Sequence, residues 1–133
     1  MKANFNELAK EVYSRNVDKG FWDGGIEAKN IGEVIALMHS ELSEALEADR
    51  KNHHSAKTYN LLNNCDSIET QNEKQYFMQE FEVGVKNSFE DELADVIIRV
   101  MDICGAMNID IDWQIEQKMK YNLCRPHKHG KKY

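Results

Sequence analysis

The sequence contains no apolar run near the roughly 18 residues needed to cross a bilayer, so a membrane span is not expected. No secretory-signal pattern opens it, so export is not expected either. Its three cysteines, Cys65, Cys104 and Cys124, are odd in number, widely spaced and form no Cys-x-x-Cys. That excludes a disulfide framework and reads as free thiols in a reducing cytoplasm. A surplus of positive charge is also missing: the net charge of −6 argues against general nucleic-acid binding. It leaves room for nucleotides, whose phosphates can be met through a metal. Convincing strand pairs are absent too. Phe81, Val83 and Val85 fit a period of two, but Phe77, Phe81 and Val85 fit a helix equally well, and no partner strand is visible.

What remains is helical. The 133 residues suffice for one domain with a sizeable core. Phe5, Leu8, Ala9, Val12 and Tyr13 recur at helical spacing and predict a first helix from Asn6 to about Asn16, capped by Asn4 or Asn6. Three glycines in Asp18–Gly25 mark a loop carrying Phe21 and Trp22. These aromatics either plug the end of a bundle or stack on a base, as aromatics do with any base. Asn30 precedes a long pattern over residues 31–51 with a predicted buried stripe of Ile31, Val34, Ile35, Met38, Leu42, Ala45 and Leu46. Residues 52–72 are polar and read as an insertion with at most a short helix near 56–63; residues 75–85 lean to helix. Ser88 caps a third core helix with Asp91 at N3. Gly105–Ile109 reads as a turn, Asp110 or Asp112 starts a fourth core helix, and Pro126, the single proline, closes it. The expected fold is all-α, a four-helix-bundle-type core with an insertion at about residues 52–87.

Two segments carry the chemistry. In IALMHSELSEALEADR, Glu41 and Glu44 lie three apart beside an apolar stripe; in SFEDELADVIIRVMDIC, Glu92 and Asp95 do the same. Residues three apart share one helix face, about 5–6 Å from each other. A single such pair is commonly plain surface charge. Two pairs at the edges of apolar stripes would make a nest of four negative charges, costly unless something positive occupies it. All-oxygen donors suit Mg²⁺, with Mn²⁺ as the alternative. Charge is also uneven along the chain. Lys118, Lys120, Arg125, Lys128, Lys131 and Lys132 make residues 118–133 +6 with no acid, so with a total of −6 the first 117 residues carry −12. Such a tail either frays into solvent or closes a site that takes a metal and an anion together.

Glu41-x-x-Glu44 followed by Glu92-x-x-Asp95 resembles the ExxE…ExxD signature of the MazG-like all-α nucleoside triphosphate pyrophosphohydrolases. The words around both pairs are similar to that family's second and third core helices. GFWDGG sits where one branch has an aromatic loop, and KMKYNLCRPHKHGKKY is similar to that branch's tail. The resemblance covers roughly residues 20–50 and 88–133. It implies Mg²⁺-dependent hydrolysis of a nucleoside triphosphate to the monophosphate and pyrophosphate, in the cytoplasm, by a homodimer or homotetramer. On that reading Glu41, Glu44, Glu92 and Asp95 hold the metal, and Glu44 accepts a proton from water. Trp22, Lys118, Asn122 and Arg125 bind substrate. The 47 residues from Ala45 to Asp91 exceed the family's usual gap between motifs. A phosphoribosyl-ATP-type or other nucleotide pyrophosphatase on the same scaffold fits the same residues, as does a non-catalytic metal-binding helical scaffold.

Overall fold

The structure, a computed structural model, describes residues 4–55 and 67–133. The short helix expected at 56–63 and the thiol of Cys65 lie outside the described residues. Among the described residues the fold is all-α and of bundle type, with no strand. The α-helices are α1 (Phe5–Asp18), α2 (Ile31–Arg50), α3 (Gln71–Gly84), α4 (Phe89–Ala106) and α5 (Ile111–Leu123), with 3₁₀ turns at Ile26–Ala28 and His127–Gly130. No described helix is long and apolar enough to cross a membrane. The segment that fitted both periods is helical, and a reciprocal capping box between Thr70 and Glu73 starts it as α3.

The chain divides into two compact units, Met1–Asn30 with Ile98–Tyr133, and Ile31–Ile97. In the first, Ala9, Met101 and Cys104 are buried, with Phe5, Val12, Val100 and Ile111 packed against them. The starts of α1 and α5 cap each other. Asp112 accepts from the backbone N–H of Phe5 and Asn6 at 3.0 and 3.1 Å. Asn6 Oδ1 accepts from the N–H of Ile111 and Asp112 at 2.9 and 3.2 Å, while its Nδ2 donates to Asp110 at 2.8 Å. Asn6 therefore caps α5, not the helix it begins, and Asp110 caps α5 as well through the Trp113 N–H. Each cap satisfies N–H groups that a helix start leaves orphaned. Gly105 was expected in a turn but lies within α4. A Cβ there would come within 2.4 Å of the Ala9 carbonyl oxygen and 2.6 Å of Tyr13 Cβ, so its role is to let α1 approach.

In the second unit, α2 turns Glu41, Ala45 and Ala48 fully inward, with Val34 and Met38 half-buried beside them. This corrects the predicted stripe. Ile31, Ile35, Leu42 and Leu46 remain 41–50% exposed. At 100° per residue the apolar positions of α2 span nearly half the helix circumference, wider than one packing contact covers. The inner half is filled by alanines and a glutamate, and the outer half stays on the surface.

Candidate metal centre

Glu41 and Glu44 are one turn apart on α2, and Glu92 stands in the first turns of α4. One carboxylate oxygen from each lies within 4.8 Å of the others. Glu41 is 8% and Glu92 4% exposed, whereas Glu44 is open to solvent. Burial first, then the charge of Glu44, then a hydrogen bond and charge from Glu41 and the charge of Asp95, push the Glu92 carboxyl up to about 7. A hydrogen bond between two carboxyl groups needs a shared proton. Charge crowding of this kind is relieved by a proton or by a cation.

Asp95 is half-buried one turn along α4 and acts on Glu92 through its charge, but it is outside the group of three whose oxygens converge. The donor set is hard oxygen throughout. Oxygens on opposite sides of a Mg²⁺ ion are about 4.2 Å apart. Neighbouring ones are closer, about 2.9 Å, so the three carboxylates, which lie within 4.8 Å, would draw together around an ion, and their hard-oxygen chemistry fits it.

The other predicted site residues lie in the first unit. Trp22 is 7% exposed: its indole Nε1 donates to Asp102 Oδ1 at 2.9 Å, Tyr13 meets it edge-on at 5.3 Å, and Lys29 Nζ stands 5.1 Å from its ring centroid. Its neighbour Phe21 is 64% exposed. Of the two loop aromatics, Trp22 is thus the anchor, and Phe21 is the one left open. Lys118 and Arg125 stand over the Tyr121 ring at 5.2 and 5.7 Å, so the two cations gather on one aromatic although α5 stops at Leu123, before Arg125. Asn122 Oδ1 is buried with no hydrogen-bond partner among the described residues. An acceptor in that condition suits a donor group on a ligand.

Sequence reading missed the partner of Trp22, since nothing in the spacing of residues 22 and 102 signals contact. It also missed the bonding between the end of α2 and the start of α4. His53 O accepts from the Phe89 N–H at 3.0 Å, and Glu90 accepts from the Ser55 N–H at 2.8 Å and meets His54 Nδ1 at 3.0 Å. The hydroxyls of Ser55 and Ser88 are 2.7 Å apart. Ser88 carried a signal as a helix cap, and it does accept from the Asp91 N–H at 3.2 Å, but its second partner was not readable. Comparisons with family models, with curated proteins and with solved structures found no match.

Proposed function

We propose that this chain is a Mg²⁺-dependent nucleoside triphosphate pyrophosphohydrolase, acting in the cytoplasm on (deoxy)nucleotides to clean the nucleotide pool. The observation that carries the reading is the convergence of Glu41, Glu44 and Glu92 in a partly buried, all-oxygen cluster. The ExxE…ExxD resemblance supplies the reaction. Glu41, Glu44 and Glu92, with Asp95 beside them, would hold the ion. When bound, the ion supplies positive charge against the phosphate oxygens and Lewis acidity toward water.

The chain's own residues do the rest. Glu41 and Glu92 are fixed by burial and set the position of the charge. Glu44, the exposed member, takes the proton of the attacking water as its oxygen bonds to phosphorus. The phosphoanhydride P–O bond breaks, and its electron pair stays on the bridging oxygen, so that the products are the monophosphate and pyrophosphate. The resemblance assigns Lys118 and Arg125, as cations, and Asn122, through its amide Nδ2 donor, to the substrate.

The exposed row Ile31, Ile35, Leu42 and Leu46 supports assembly with further copies into a homodimer or homotetramer, because a contiguous apolar face of this kind marks an interaction surface. Light scattering after gel filtration tests that part: Leu42→Glu with Leu46→Glu is expected to give monomers.

The activity is tested by pyrophosphate release from a panel of ribo- and deoxyribonucleoside triphosphates with Mg²⁺. Glu41→Gln, Glu44→Gln, Glu92→Gln and Asp95→Asn are each expected to abolish it. Release from phosphoribosyl-ATP alone would assign the sister activity. No release from any nucleotide, with metal still bound, would leave a non-catalytic scaffold.

A further inference from the structure

The helices that carry the acidic cluster are far apart in sequence. From Lys51 to Ser88 there are 38 residues between the end of α2 and the start of α4. Covalent connection across that many residues, α3 among them, does not by itself set the two helices side by side. The cluster itself works against assembly, since three carboxylates within 4.8 Å, two of them buried, repel. Something local must hold α2 and α4 together beside the site.

The bonds that meet this need sit immediately before Glu92. After Arg50 the chain turns at Asn52, whose φ of 53° is left-handed, and His53 N–H closes onto Ala48 O at 2.8 Å. Residues 53–55 then lie along the start of α4 and bond to three consecutive residues. The Phe89 N–H goes to His53 O, the Ser55 hydroxyl to that of Ser88, and the Ser55 N–H and His54 to the Glu90 carboxylate. The His54 and Phe89 rings meet edge-on at 5.6 Å. Ser88 is 0% exposed. Glu92 is two residues beyond Glu90, and Glu44 is six before Arg50, about 9 Å along the helix. Any hinge at this joint displaces the carboxylates of one helix from those of the other.

We infer that Ser55, Ser88 and Glu90 form a clasp that positions the Glu41–Glu44–Glu92 cluster for its cation, so that residues with no ligand atom at the site set its metal affinity. The inference rests on the metal-centre reading above. Outer residues that orient metal ligands typically account for 10- to 100-fold in affinity.

The test uses the full chain and Mn²⁺ as probe, with free Mn²⁺ counted by electron paramagnetic resonance during titration, and melting recorded in chelator. Ser55→Ala/Glu90→Ala leaves the Ser88 cap on Asp91 and every cluster carboxylate intact. It is expected to weaken Mn²⁺ binding about tenfold or more at a temperature well below its melting point. Ser55→Ala/Glu90→Gln, which keeps an oxygen acceptor for the Ser55 N–H, is expected to recover the part of the loss due to Glu90 and to bind as Ser55→Ala alone does. Should the double alanine variant not fold, Ser55→Ala alone is expected to weaken binding several-fold. A lower melting point with unchanged Mn²⁺ affinity would overturn the clasp as a positioning device. Glu92→Gln separates the two readings. If it loses Mn²⁺ while the clasp variants bind as the unaltered protein does, the metal centre stands and the clasp falls. If Glu92→Gln itself binds normally, the metal centre falls and takes the clasp with it.

Discussion

Trp22 donates its indole N–H to the carboxylate of Asp102, 80 positions later, at 2.9 Å. The bond fixes the glycine-bracketed loop to α4 and turns the larger of the two loop aromatics inward. Trp22→Ala is therefore expected to cost about 3–5 kcal/mol of stability in the free protein, the usual loss for a buried aromatic. Chemical denaturation without nucleotide checks this. A variant that keeps its stability but shows a KM raised roughly 5- to 150-fold, the range for one base–aromatic stack of about 1–3 kcal/mol, would return Trp22 to the substrate surface.

Glu92 gives the metal-free protein a pH dependence of definite sign. Its carboxyl stands at about 7 when folded against an ordinary value of 4.5, so the folded form holds the proton more tightly. The stabilisation is fully present below about pH 4.5 and is lost as the pH rises through 7. The difference corresponds to about 3 kcal/mol at most. In chelator, the melting point is expected to fall by about 10 °C more between pH 5 and pH 8 in the unaltered protein than in Glu92→Gln. Added Mg²⁺ should remove most of that fall, because binding to the folded form alone stabilises it. Parallel pH curves for the two proteins would contradict the assignment.

Much of the fold was readable because its signals are local. Ser88, Asp110 and Pro126 mark helix boundaries by chemistry that acts within a few residues, and helices begin or end close to each. The two carboxylate pairs were readable from spacing, and three of the four carboxylates do converge. What escaped depends on long-range neighbours. Leu42 and Leu46 are better core residues than Glu41 by hydropathy, yet Glu41 is buried and they are not, because the inner face of α2 is set by what α4 presents to it. Gly105 reads as a turn residue until α1 is known to cross at that point. Nothing in the order of residues pairs Ser55 with Ser88.

Close packing at Gly105 makes a sharp prediction. Gly105→Ala places a methyl group against the Ala9 carbonyl, which is backbone and cannot rotate away. Overpacking of this kind costs about 1–3 kcal/mol, and a contact as close as 2.4 Å to backbone puts it at the upper end or beyond, outweighing the gain of about 1 kcal/mol that alanine brings to a helix. A melting point at or above that of the unaltered protein would show that α1 has room to move.

Arg125 shares the Tyr121 ring with Lys118 and donates to the His129 carbonyl at 3.4 Å, so the basic tail starts from an organised end of α5. Ending the chain after Leu123 removes Arg125, Lys128, Lys131 and Lys132 and leaves Lys118, Asn122 and all four carboxylates. Nucleotide binding is expected to weaken about tenfold, as exposed charge contacts contribute up to about 1 kcal/mol each. Its dependence on salt should shrink, since such contacts are screened over about 8–10 Å. Unchanged kcat/KM at both low and high salt would remove Arg125 from the site.

The mutual capping of α1 and α5 sets an order of events during synthesis. The residues that complete the bonds of Phe5 and Asn6, Asp110 to Asp112, leave the ribosome more than 100 positions after them. At about 5–20 residues per second the wait is roughly 5–20 s. Throughout it α1 has neither its cap partner nor Met101 and Cys104 to cover Ala9. The Ile31–Ile97 unit holds its own contacts within one continuous stretch and is free to fold in that interval. The nascent chain therefore carries an acidic centre before the residues that complete the unit holding Trp22 have been made, and a chaperone or a cation present at that stage would meet the Ile31–Ile97 unit first.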